Sequence, residues 1–551
     1  MLTARRSRPG FNLGLQRRIG FRSARNHAIL PALVITLLLV GSISARASII
    51  NAISPALIDV STAVSSALDG DVVVIPAGTA TWTSGIAVSK AIKIVGAGSG
   101  RIIAYDDGNE VLSIGTGSKT ISIGGFSPGF SGSSFSVGQT LRIFETNSRS
   151  NWMQGTVTSY VGTTLTMNIT STNGSGSTHR WLVATMPSTT ITSNGPKIFA
   201  VTESVNGNIN VSGIQFQSAT RTGPYISLGY TSGGQAVLIH DCWFELNQDA
   251  YECIDGNTNR GVVSNCSFDG SSGNPGQLIT IGNIRIKDDG GSSIGSSWTT
   301  PSKWGASDTT GQGNFYIETN DFHALQGVTD NDSNGRMVFR YNLVDHAAFA
   351  THGPDTSTYG ERYFEYYNNT GVFYGYSDGS TFNIPNGWIG IVRGGTFVVH
   401  DNTLPAISST DLSKPDIKVT VMNLQRNAGP NACWGAGTRN GTDYPAPRQV
   451  GLGYITGTGH DGLGRTNDSI TYVGDSEPAY IWNNNRSLNV SIADYGGTAC
   501  TSPDTSVNYI KVNRDFFNGT AKPDYVPYTY PHPLAGGNTL APPTNLRIAG
   551  P

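Results

Sequence analysis

Charge is scarce in this 551-residue chain: Asp, Glu, Lys and Arg together make up only 13%. That excludes a charged disordered chain and argues against a coiled coil or a helical bundle. Cysteine is scarce too. The five residues Cys242, Cys253, Cys266, Cys433 and Cys500 contain no CxxC pair, which leaves no zinc site of that spacing. Their odd number leaves at least one thiol unpaired within the chain. Basic residues are few once the N-terminus is set aside. Residues 1–47 hold eight of the 36, leaving 28 against 38 acids and a net charge of −10. Such a balance is unsuited to binding the DNA or RNA backbone. Beyond residue 47 no apolar run is long enough to cross a bilayer. What is plentiful is glycine, 69 residues, which suits an all-β chain with many tight turns.

The N-terminus reads as a targeting segment. Arg5, Arg6, Arg8, Arg17, Arg18, Arg22 and Arg25 precede an apolar run from Ile29 to Val40, and Ala45-Arg46-Ala47 supplies the small residues of a cleavage site. Residues 1–47 are therefore expected to be a signal peptide, with the mature chain starting near Ser48 and acting outside the cytoplasm, without a membrane span and as a monomer.

Internal repetition decides the fold class. Six segments share one pattern, with anchors at Cys242, Cys266, Asn320, Asn342, Asn369 and Asn402. Three residues before each anchor stand Ile239, Val263, Ile317, Phe339, Tyr366 and Val399, and five before it Val237, Gly261, Phe315, Met337, Phe364 and Phe397. Alternation with period two marks strands with one face inward. Its recurrence predicts stacked coils, a solenoid in which like lies over like at about 4.8 Å. The Asn anchors are expected to form inward ladders. Cys242 over Cys266 is expected as a buried apolar stack, and Cys433 with Cys500 is the candidate disulfide. Asp59 to Leu68, with apolar residues at 60, 63, 64, 67 and 68, predicts an amphipathic helix lidding the open end.

Leu68-Asp69-Gly70-Asp71, Pro76-Ala77-Gly78-Thr79 and Ile94-Val95-Gly96-Ala97-Gly98 resemble the opening of right-handed parallel β-helix proteins of the pectate-lyase-like superfamily. Pro527-Tyr528-Thr529-Tyr530-Pro531-His532-Pro533-Leu534 resembles the closing motif of a secreted bacterial branch. The resemblance spans about residues 50–535 and implies an all-β, right-handed single-stranded parallel β-helix with an N-terminal helical cap. It leaves lyases, hydrolases, epimerases and non-catalytic adhesins open. The expected organisation is a cap and first coils over 48–130, an inserted small β module over 131–187, the main β-helix over 188–535 and a Gly/Pro-rich tail over 536–551. The module resembles small modules of phage tail proteins.

A β-helix has no interior room for a ligand, so chemistry belongs on an outward face. Asp330, Asp332, Arg336, His352, Asp355 and Arg362 cluster over three coils, and Arg340, Tyr367 and His400 are outward two residues before their anchors. The expected catalytic set is His352, Asp330, Arg336, Arg340 and Arg362, with Arg393, Tyr367 and His400 binding substrate. In β-elimination a cation neutralises a uronate carboxylate and a base removes the neighbouring C–H proton. Asp330, Asp332 and Asp355 are the candidate ligands for Ca2+, arginine the alternative cation, and His352 or a Lys or Arg the base. The leading expectation is a secreted polysaccharide lyase acting on an acidic, uronate-containing extracellular polysaccharide. The alternatives are an inverting hydrolase with paired carboxylates and a glycan-binding adhesin. Polygalacturonase-type hydrolases share the fold, but here Arg285-Ile286-Lys287 precedes Asp330-Asn331-Asp332 and no Asn-Thr-Asp stands in place.

Overall fold

The computed structural model describes residues 47–535 apart from 128, 146–147, 179, 196, 219–222, 246–251, 259, 271–283, 287–307, 324–327, 332–334, 346–360, 373–389, 393, 404–417, 422–449, 452–475, 486–488 and 493–509. The expected signal peptide, the Gly/Pro-rich tail, Cys433 and Cys500 lie outside these residues. Among the described residues, no helix is long and apolar enough to cross a membrane.

Short parallel strands stack into sheets of twelve, eight, six and three strands. Strands adjacent in a sheet come from successive coils, as in Val237–His240, Gly261–Ser264, Phe315–Glu318 and Arg336–Arg340 of the twelve-stranded sheet. The chain is thus a single-stranded parallel β-helix, right-handed as parallel crossovers are. Helix Leu57–Ser66 lids its first coils, burying Val60, Ala63 and Val64. Lys90 Nζ closes the helix C-terminus, donating to the carbonyls of Val64, Ser65 and Ala67 at 3.2, 2.7 and 2.7 Å.

The interior is built from ladders. Phe216, Phe244, Phe268 and Phe322 stack at centroid spacings of 4.9, 4.6 and 4.7 Å. Gly261 keeps a neighbouring column open, because a Cβ there would sit 2.4 Å from the Phe315 ring. Cys242 and Cys266 are buried free thiols, and each Sγ donates to two carbonyls, those of Val211 and His240 and those of Ile239 and Ser264. The asparagine anchors point inward as expected. Asn320, Asn342, Asn369 and Asn402 each donate Nδ2 to the next anchor's Oδ1 at 3.1, 3.1, 3.0 and 2.9 Å, and the series ends at Asn484. Each Nδ2 also reaches a carbonyl of the preceding coil, and each Oδ1 accepts the preceding anchor's backbone N–H. The bend before every anchor is one residue in the left-handed region: Asp241, Asn265, Thr319, Tyr341, Asn368, Asp401 and Asn483, with φ between 51° and 58°. Asp and Asn tolerate that conformation, and Thr319 and Tyr341 adopt it under the pull of the coils on either side.

The inserted module is a closed antiparallel barrel of six strands: Arg101–Asp106, Gly117–Phe126, Thr140–Glu145, Ser148–Val161, Thr164–Asn173 and Trp181–Thr185. It therefore takes in two strands before residue 131, where the sequence reading had the first coils continue. Period-two alternation is the same for a parallel coil and an antiparallel barrel, so it does not separate them.

Candidate functional site

The barrel docks on the outer face of the eight-stranded sheet. Phe144 stacks on Trp243 at 5.5 Å, and Ile102, Tyr105, Leu182, Ala184 and Leu343 complete the apolar contact. Arg101 crosses from the barrel to Asp321 at 3.2 Å, with both side chains buried. Burial pushes the Asp321 carboxyl up to about 6, against the opposing pull of Arg101, Ser127 and His323.

Beside this contact runs a second outward row. Glu245, Asp269, His323 and Asp345 close four successive strands in mutual register. Asp269, His323 and Asp345 are fully buried, and Glu245 is partly exposed at the end of the row. His323 Nδ1 lies 2.5 Å from Asp345 Oδ2. Gln215 and Gln217 donate to Glu245 Oε2 at 3.0 and 2.6 Å. Like charges stacked directly across strands are destabilising. His323 separates the two buried acids, Asp269 and Asp345, so that neither faces the other directly across a strand pair. All four residues stand three positions after an anchor, at 242, 266, 320 and 342. That fixed offset from the anchors is a usable sequence signal.

The expected cluster is divided in the structure. Asp330 is buried in strand Thr329–Asn331 of the six-stranded sheet, in register with Arg285 and, one strand further, Asp255. Arg336 and Arg340 belong to the twelve-stranded sheet, so the single outward groove expected for Asp330 with these arginines is not formed. Arg340 is fully buried. Its Nε and Nη2 donate to Glu318 Oε2 at 2.9 and 2.7 Å, Nη1 to the Tyr367 hydroxyl and the Tyr528 carbonyl at 2.8 Å each, and Nη2 to the Thr529 carbonyl at 2.7 Å. Arg336 Nε donates to Asn314 Oδ1 at 3.3 Å, and Arg362 pairs with Glu477 at 3.2 Å. Tyr367 and His400 stack at 4.8 Å and are buried. The physical reason is a later segment of the chain. Residues 522–535 lie across this outward face, where Tyr525 donates to Glu365 at 2.5 Å, Asn314 donates to the Tyr528 hydroxyl at 2.8 Å and the His532 backbone N–H donates to Glu318 at 2.8 Å. An outward position on a strand is not a solvent position when another segment covers it.

Asp332, His352, Asp355 and Arg393 lie outside the described residues. His352 and Asp355 belong to the segment 346–360, which follows Asp345 directly in the chain. Among the described residues no group of three or more His, Cys, Asp or Glu is arranged to hold a metal ion.

No protein-family model and no curated protein matches the chain. Solved structures similar to it include three phage tailspikes. Tailspike gp61 of Pseudomonas phage phi297 is 12% identical over 79% of this chain and 67% of that one, with a TM-score of 0.18. The gp54 tailspike of Acinetobacter baumannii bacteriophage AP22, solved with A. baumannii capsular saccharide, is 13% identical over 76% of this chain and 63% of that one, with a TM-score of 0.17. Tailspike gp49 of Pseudomonas phage LKA1 is 13% identical over 79% and 69%, with a TM-score of 0.14. Likeness at such scores bears on neither mechanism nor substrate, and the fold rests on the parallel registers.

Proposed function

We propose that the protein is an exported polysaccharide-degrading β-helix that cleaves glycosidic bonds by general acid–base catalysis along the row Glu245, Asp269, His323 and Asp345. One observation carries this reading: four acid or imidazole side chains in register on one outward face, with His323 2.5 Å from Asp345. Inverting hydrolysis needs one carboxylic acid to protonate the leaving oxygen and one carboxylate to activate water, about 6.5–9.5 Å apart. Asp269 and Asp345 stand two strands apart in the row, with His323 between them. On this reading Asp345, beside His323, is the base that activates water and Asp269 the acid. Substrate meets the row from its partly exposed end, at Glu245.

β-Elimination is the second reading, favoured by the position of His352 and Asp355 in the segment that continues from Asp345. His352 would be the base. Calcium on Asp330, Asp332 and Asp355 would neutralise the uronate, and only Asp330 of the three lies among the described residues. It ranks second because Arg336, Arg340 and Arg362, its other source of positive charge, are engaged by Asn314, Glu318 and Glu477.

Incubation with a panel of acidic and neutral polysaccharides tests both readings. New reducing ends without the ultraviolet absorbance of unsaturated uronate support hydrolysis. That absorbance, lost on chelation, supports elimination. Binding without either product leaves the adhesin and ends the catalytic proposal.

A further inference from the structure

The barrel carries a guanidinium that the fold does not use up. Arg142 lies on the barrel's outer face beside Phe144, the residue that docks on Trp243. Its Nε donates to Gln154 Oε1 at 2.9 Å, and its guanidinium carbon lies 4.2 Å from the Trp152 ring centroid. Among the described residues, its two terminal nitrogens meet no hydrogen-bond acceptor. Arg142 and Trp152 are both partly exposed. Glu245 is close enough to favour the charged guanidinium, opposing the burial that lowers its pKa. Gln215 and Gln217 meanwhile hold Glu245 Oε2, which keeps that carboxylate with its own sheet.

We infer that Arg142, stacked on Trp152, is a subsite for the carboxylate of an acidic sugar, and that the barrel sets the specificity of the row beside it. This rests on the polysaccharide-degrading reading above and adds the substrate class. A guanidinium fixed by stacking and by one bond at Nε presents its remaining N–H groups as a planar fork, which matches a carboxylate bidentately. The subsite lies at the exposed end of the row, so a polymer gripped there is led from the barrel towards Asp269 and His323.

The test uses the full chain and affinity electrophoresis in gels holding polygalacturonate, alginate or hyaluronan, each beside its carboxyl-reduced derivative. The wild type is expected to bind at least one acidic polymer about tenfold or more tightly than the reduced form, as a charged hydrogen-bonded pair provides. Arg142→Gln should erase that difference, and Arg142→Lys should restore only part of it, with melting temperatures unchanged. His323→Ala should keep the preference while losing cleavage. Equal discrimination by the wild type and Arg142→Gln overturns the subsite even where cleavage persists. A wild type that binds and cleaves none of the polymers overturns the catalytic reading and the subsite together.

Discussion

Arg340 and Glu318 form a fully buried ion pair on the outward face of the twelve-stranded sheet, 2.7 Å apart, and the carbonyls of Tyr528 and Thr529 complete the guanidinium's bonds. Outward charge on a solenoid is normally solvated. Here it becomes the fastening for the chain's last described residues.

Breaking that pair on one side should be costly. Arg340→Met leaves Glu318 buried without its cation and should lower stability by about 3–5 kcal/mol, read from guanidinium denaturation. The double variant Arg340→Met, Glu318→Leu should recover much of the loss. If it fares no better than the single variant, the cost lies in the lost contacts to residues 528–529 and not in the stranded charge.

The asparagine ladder should be intolerant of truncation. Asn342→Ala strips the partner from the Asn320 backbone N–H and from the Ile317 carbonyl, both buried in the core. At about 1–3 kcal/mol for each unsatisfied group, its denaturation midpoint should fall further than that of Cys242→Ala, whose thiol is only a weak donor to the Val211 and His240 carbonyls at 3.8 and 3.3 Å.

In the row beside the barrel, Asp345→Asn keeps the shape and removes the charge next to His323. If the row is catalytic, this variant and His323→Ala should each lower turnover at least a hundredfold, the usual contribution of a general acid or base. Full turnover in both would shift attention to His352.

Glu365 gives the fold a defined pH dependence. Burial raises its carboxyl from an ordinary value of 4.5 to about 8, although Tyr525, Arg340 and Lys522 pull it down. The folded state thus holds a proton that the unfolded chain releases. Between pH 4.5 and about 8 stability falls as pH rises, and above that the penalty is constant. Glu365→Gln should remove this contribution, so its denaturation midpoint should gain on the wild type across that window. Parallel midpoint-against-pH curves for the two proteins would refute it.

The sequence carried the coil architecture because ladders force like residues to recur: Ile239, Val263 and Ile317 share one column, and Asn320, Asn342 and Asn369 another. Asn484 stands outside the repeat visible in the sequence because its distance from Asn402 far exceeds one coil. The barrel's first strands were hidden because Arg101–Asp106 alternates no differently from a coil strand. Arg340, Tyr367 and His400 were rightly placed outward, but the covering by residues 522–535 is a contact between distant parts of the chain and leaves no local periodicity. The candidate row was readable at a fixed offset from the anchors, whereas the docking of Phe144 on Trp243 that brings Arg142 beside it was not.

The final segment also behaves as a gauge. Tyr525 engages the coil of Glu365, Tyr528 those of Asn314 and Arg340, and His532 that of Glu318, which Asn314 shares, while Leu534 packs against the cluster that includes Ala236 and Leu238. The ladders inside are indifferent to how many coils there are. Excising the stretch from one asparagine anchor to the next would bring equivalent partners together again. The segment outside is not indifferent, because its side chains are spaced for these particular coils. Gain or loss of a repeat is thus checked from the outside, by a segment whose side chains are set out to match a fixed number of turns.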